Sequence, residues 1–109
     1  MTEMEDSQSL TVERDPAGVI IVHGDIDVAG GPILEAALLT GENSNVQVVI
    51  DLGDVSFIDS SGLRCLLGAS RRARDRGTTV VLRRVGNEAL RLLQITGTTG
   101  QFSIEDDRG

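Results

Sequence analysis

The chain has 109 residues, enough for one domain, with a formal net charge of -7 and a pI near 4.5. An acidic balance argues against DNA or RNA as a partner, because phosphate backbones demand a basic surface, and against an anionic membrane surface. Trp and Tyr are absent and Phe occurs twice, so the single modest core must be built from Leu, Val, Ile and Ala.

Residues 1–8 are polar and acidic and read as a flexible tail. Leu10-Thr11-Val12-Glu13-Arg14 alternates as a strand does, Asp15-Pro16-Ala17-Gly18 has turn composition, and Val19-Ile20-Ile21-Val22-His23 is a second strand, so the pair forms a hairpin. Gly24-Asp25-Ile26-Asp27-Val28 leaves that strand, and Ala29-Gly30-Gly31 is expected to loosen the chain. Pro32 suits the first turn of a helix, where its missing N–H is not needed. That helix carries Ile33, Leu34, Leu38 and Leu39, with Gly41 as its end and a polar loop over 42–45.

Residues 46–52 are the most apolar strand and are expected to be central and covered on both faces. A second helix is predicted from about Ser61 to about Arg76, with Leu63, Leu66, Leu67, Ser70 and Ala73 on one side and Gly77 ending it. Residues 78–83 form another strand. Gly86-Asn87-Glu88 opens a short helix, residues 97–100 turn, and Phe102-Ser103-Ile104 reads as a last edge strand. The order β-β-α-β-α-β-α(-β) implies one α/β domain over residues 9–105, with tails 1–8 and 106–109. Its sheet is mixed, with four to five strands and helices packed on it.

Between the apolar strand and the second helix stands Phe57-Ile58-Asp59-Ser60-Ser61-Gly62-Leu63. Asp and Ser are preferred helix N-caps, since their oxygens accept the free N–H groups of the first turn, and capping alone accounts for the pattern. The same geometry suits a switch. A phosphate on Ser60 or Ser61 would add roughly -1.5 to -2 charges beside Asp59, and Asp25 or Asp27 could lie nearby. Such a charge changes a binding free energy without refolding the domain.

Val48-Val49-Ile50-Asp51-Leu52 through Leu63 resembles the signature of STAS domains, and among them that of bacterial anti-sigma factor antagonists. Gly24-Asp25-Ile26-Asp27 resembles that family's turn before the first helix, residues 90–97 its closing helix, and Phe102-Ser103-Ile104 its final strand. The resemblance implies a STAS-like fold and a phosphorylated serine at Ser60, with Ser61 as second choice. It implies that the unmodified protein binds an anti-sigma factor, often a GHKL-type serine kinase, and so frees a sigma factor. Phosphorylation breaks the complex and a metal-dependent serine phosphatase restores it, so ATP and metal belong to those enzymes and this chain needs no cofactor. Asp25, Asp27, Asp59, Ser60, Ser61, Gly62 and Arg64 become the expected partner-binding residues. The Ala29-Gly30-Gly31 turn departs from the family, where a hydroxyl often sits, and Arg64 stands where a small or apolar residue is common.

Other residues point to no enzyme. Cys65 is the only cysteine, which excludes an internal disulfide and a cysteine metal cluster, and it reads as a small core residue. His23, the only histidine, ends a strand and is assigned no function, and zinc would lack ligands. Asp51 and Asp54 are a carboxylate pair at a strand end with no metal motif. Arg71, Arg72, Arg74 and Arg76 read as a solvated face, with a docking patch as the lesser alternative. No leader is legible and no apolar run reaches the roughly 20 residues of a membrane span, so a cytoplasmic monomer or weak dimer is expected. The alternatives are a STAS scaffold in a stress-sensing or lipid-transport complex and, more remotely, a small hydrolase with Ser60 as nucleophile.

Overall fold

The computed structural model describes residues 10–40 and 47–105. Along them run β1 (Thr11–Arg14), β2 (Ile20–His23), α1 (Gly31–Thr40), β3 (Val48–Asp54), α2 (Ser60–Asp75), β4 (Val80–Arg83), α3 (Asn87–Thr96) and β5 (Ser103–Glu105). A single 3-10 turn at Thr99–Gln101 precedes β5, within and just beyond the stretch expected to be a plain turn. The element order is the one the sequence implies, and the last strand is present. The readings placed on Gly41, on the loop at 42–45, on Val46 and on the tails fall outside the described residues.

The five strands lie in chain order, β1-β2-β3-β4-β5. β1 and β2 form the antiparallel hairpin, and every later neighbour is parallel. Each parallel pair is joined through a helix. Crossovers of one hand, stepping steadily across a sheet, place their helices on the same side. The packing agrees: Ile20, Val22, Ile50, Leu52, Val80 and Leu82 point into one cluster with Leu34 and Leu38 of α1, Leu63 and Leu66 of α2, and Leu93 of α3. Full burial of each such side chain is worth roughly 1.5–3 kcal/mol.

The alternate set behaves differently. Ile21, Val49 and Val81 are only half-buried and do not join that cluster. β3 is therefore central, but helices cover one of its faces, not both as its apolar composition suggested. Asp51 shows how the bare face is managed. It stands on that side, yet it is 7% exposed, because Arg84 lies over it with Nε 3.1 Å from each carboxylate oxygen. The guanidinium passes across Gly53, where a Cβ would sit 2.4 Å from Arg84 Cζ. Arg84 itself holds φ +54°, a left-handed conformation that non-glycine residues adopt only when the surroundings over-determine it. Asp51 and Asp54 are thus no carboxylate pair, since Asp51 belongs to Arg84 and Asp54 to His23.

The Arg-rich end of α2 is not wholly solvated either. Arg71 and Arg74 are exposed, but Arg72 and Arg76 are half-buried. Arg74 donates to the Gln101 side chain, and Ser70 Oγ to the Gln101 carbonyl, so this end of α2 anchors the turn that feeds β5.

Candidate functional site

Two loops at the C-terminal ends of parallel strands build the site. One runs from β2 into α1 (residues 24–30) and the other from β3 into α2 (residues 55–59). They are stitched together by backbone bonds: Gly24 N–H to the Asp54 carbonyl (3.1 Å), Ile26 N–H to that of Phe57 (2.9 Å), and Asp59 N–H to that of Ile26 (3.0 Å). Ile26 and Ile58 thereby form an isolated parallel bridge and bury their side chains. The Ser56 hydroxyl adds a 2.9 Å bond to Asp25.

Gly62 closes against this bridge. A Cβ there would lie 2.3 Å from Ile26 Cγ2 and 2.9 Å from Ile58 Cγ1, so the first turn of α2 meets the loops only because residue 62 has no side chain. Asp59 is the N-cap, its Oδ1 accepting from Ser61 N–H (2.8 Å) and Gly62 N–H (3.1 Å). α2 starts at Ser60, one residue before the sequence-based start, and capping falls to Asp59 alone. Ser60 is exposed, and its hydroxyl makes no hydrogen bond to a described residue.

The remaining expected partner residues divide by role. Asp27 takes the Gly30 N–H at 3.0 Å, and its carbonyl takes the Gly31 N–H at 2.8 Å. The Ala29-Gly30-Gly31 turn is accordingly bonded and packed, with Gly30 buried, where its composition suggested a looser segment. Asp27 thus serves turn chemistry, Asp25 bonds across to the other loop through Ser56, and both are half-buried. Ser61 and Arg64 line a shallow groove of about 230 Å³ with Val28, Pro32, Glu35 and Cys65 between the starts of α1 and α2. Arg64 is exposed. The Cys65 thiol donates to the Gly31 carbonyl at 3.4 Å, and burial pushes its pKa up, the opposite of an activated thiolate.

Two residues of this surface carried no sequence signal strong enough to single them out. Val28 is 72% exposed and Phe57 46%, so the two loops that lead into α1 and α2 each present an apolar side chain to solvent. Phe57 also walls a second cleft, of about 210 Å³, shared with Val55, Ala89 and Glu88. An apolar residue inside a turn that breaks strand alternation is the only hint the sequence offered. Among the described residues no group of three or more His, Cys, Asp or Glu is placed to hold a metal ion, and no helix is long and apolar enough to cross a membrane.

A family model described as "Mlab, STAS domain" matches residues 10–104. The anti-sigma-B factor antagonist of Listeria monocytogenes is 33% identical over 99 residues, covering 89% of this chain and 87% of that protein. The crystal structure of an anti-sigma factor antagonist from Mycobacterium paratuberculosis is 30% identical, with a TM-score of 0.71 over 93% of this chain and 89% of that one. The Bacillus cell fate determinant SpoIIAA, in its phosphorylated form, shares the fold at 17% identity, with a TM-score of 0.62 over 91% of this chain and 93% of that one.

Proposed function

The chain belongs to the STAS domain family, and on that footing we propose that it is an anti-sigma factor antagonist switched by phosphorylation of Ser60. The unmodified form binds an anti-sigma factor through the surface formed by the two loops and the first turns of α1 and α2, and a sigma factor is released. The observation that carries this reading is the division of labour at the start of α2. Asp59 holds the cap, while Ser60 presents an uncommitted hydroxyl to solvent. A phosphate can be added there without breaking any bond that holds the fold.

The consequences follow from charge. In the unmodified complex Ser60, Val28 and Phe57 pack against the partner, with Asp25, Asp27, Asp59 and Gly62 shaping the loops and Ser61 and Arg64 at the rim. Phosphorylation places about -1.5 to -2 charges beside the Asp59 carboxylate. Docking would then strip water from an anion whose local helix N–H groups are already taken by Asp59, and that desolvation is costly. A loss of about 3 kcal/mol is already more than a hundredfold in affinity. The kinase, in this reading the anti-sigma factor itself and of GHKL type, supplies ATP. A metal-dependent serine phosphatase reverses the step. Ser61, half-buried against the groove, is the second choice of acceptor.

The protein acts by binding, in the cytoplasm, as a monomer or weak dimer. A hydrolase built on Ser60 would need a base poised at its hydroxyl. The one histidine is instead occupied by Asp54 and Glu13. The test is a pull-down from native lysate with wild type, Ser60→Ala and Ser60→Asp. A GHKL-type kinase retained by the first two and lost by the third supports the switch. One partner held equally by all three would reduce Ser60 to a helix position and favour a scaffold role in a stress-sensing or lipid-transport assembly.

A further inference from the structure

One group outside the serine surface ties its two loops to the sheet. His23 ends β2, and both of its ring nitrogens meet carboxylates: Nδ1 lies 2.5 Å from Asp54 Oδ2 on β3, and Nε2 lies 2.6 Å from Glu13 Oε2 on β1. The contact with Asp54 depends on an irregularity in the sheet. Ile21 pairs with Asp51, so unbroken register would set His23 opposite Gly53, but it faces Asp54. The extra residue turns the Asp54 carboxylate towards the ring, the kind of re-aiming that bulges provide.

Elementary proton counting gives the arrangement its meaning. An ionised carboxylate only accepts, and a neutral imidazole has one N–H and one lone pair. Two carboxylates can both be satisfied only by an imidazolium. A neutral ring would leave a lone pair facing a carboxylate oxygen at one of the two contacts. Among the described residues the other charges nearby are committed: Asp51, on the same face of β3, to Arg84; Asp25, two residues on, to Ser56; and Arg14, beside Glu13, to the Ala37 carbonyl. Among the described residues, Asp54 and Glu13 are the charges that act on the ring, and hydrogen bonding to Asp54 first, then Glu13, raises the His23 pKa above its ordinary 6.5.

We propose that Glu13, His23 and Asp54 form a protonation-operated latch that, when closed, fixes the ends of β1, β2 and β3 and braces the two loops of the serine surface. The ladder from latch to site is continuous. Gly24, the next residue, donates to the Asp54 carbonyl, Ile26 to Phe57, and Asp59, the cap of α2, to Ile26. With the ring doubly protonated, the loops that present Ser60, Val28 and Phe57 are held from their base. With the ring neutral, one of the two carboxylate contacts opens and the base of the ladder slackens. The inference concerns the same surface as the proposed switch, but its test needs neither a partner nor a phosphate, so either idea can fail alone.

The experiment is an NMR titration of the full chain from pH 5.5 to 9, following the His23 ring and the amides of Gly24, Ile26 and Asp59. The expected result has three parts. The ring titrates above 6.5, both ring nitrogens carry protons at pH 6.5, and the three amides shift with the same midpoint. Asp54→Asn and Glu13→Gln each lower that midpoint, because a neutral partner no longer favours the imidazolium. Both side chains are largely exposed, so the variants fold. A ring midpoint at or below 6.5, or amides that do not follow the ring, overturns the latch.

Discussion

Individual side chains at the start of α2 carry separable tasks, and substitution should separate them. Ser60 is exposed and bonded to nothing described, so Ser60→Ala should leave stability within about 0.5 kcal/mol of wild type. Urea denaturation checks this, and the result licenses reading any binding change as a surface effect. Gly62→Ala is the opposite case. Its methyl would strike Ile26 and Ile58, both buried, and overpacking of this kind costs typically about 1–3 kcal/mol. The urea midpoint should fall accordingly, and Gly62→Ala combined with Ile26→Ala, which removes the Cγ2 that the new methyl strikes, should cost less than the sum of the two single losses. Equal stability of Gly62→Ala and wild type would mean that the loops yield more easily than their bonding implies.

Between elements, two side-chain devices, one local and one long-range, join segments that would otherwise stand apart. Asp59 joins the β3–α2 loop to the helix it caps. Asp59→Ala should cost about 1 kcal/mol, with Asp59→Asn or Asp59→Ser restoring most of it, since both keep an acceptor for the Ser61 and Gly62 N–H groups. The second device joins β3 to the residue that follows β4. Gly53→Ala would drive Arg84 off Asp51 and leave a buried carboxylate without its cation, so a loss of about 1–3 kcal/mol is expected. Arg84→Ala should cost a similar amount. The double variant should cost little more than either alone, because both remove the same interaction, and a double-variant cycle in urea measures this. Full additivity would show that Gly53 matters for some other reason.

Taken as one body, the chain is a sheet packed by helices on one face and closed on the other by side-chain ion pairs: Arg84 on Asp51, Arg83 on Glu105 at 2.8 Å, and His23 between Glu13 and Asp54. Ile21, Val49 and Val81 lie among them, half-buried. The His23 pair gives stability a defined dependence on pH. Its folded-state pKa is raised, so the contribution is complete below the unfolded value of 6.5 and is lost as pH rises through the higher folded value. The difference in urea midpoint between wild type and His23→Gln should therefore be largest near pH 6 and shrink towards pH 9. A difference that grows with pH would refute the assignment of charge.

Much of this was legible in the linear chain, for a physical reason. Alternation in residues 10–14 and 19–23, helical spacing from Leu63 to Ala73, and the glycines and Pro32 at the breaks are local records of which side faces the core and where the chain turns, so the order of elements followed from them. The start of α2 was legible too, because the capping acid and the glycine that lets the first turn approach the loops lie close together in the chain. What composition could not convey is what depends on register between distant strands. The bare face of β3 escaped notice because its apolar run suggests cover on both sides, while the cover over Asp51 comes from Arg84, 33 residues away. His23 looked idle because its two partners stand 10 and 31 residues off and meet it only through strand pairing and one shifted register. Local periodicity records burial; only the assembled sheet decides which charges meet.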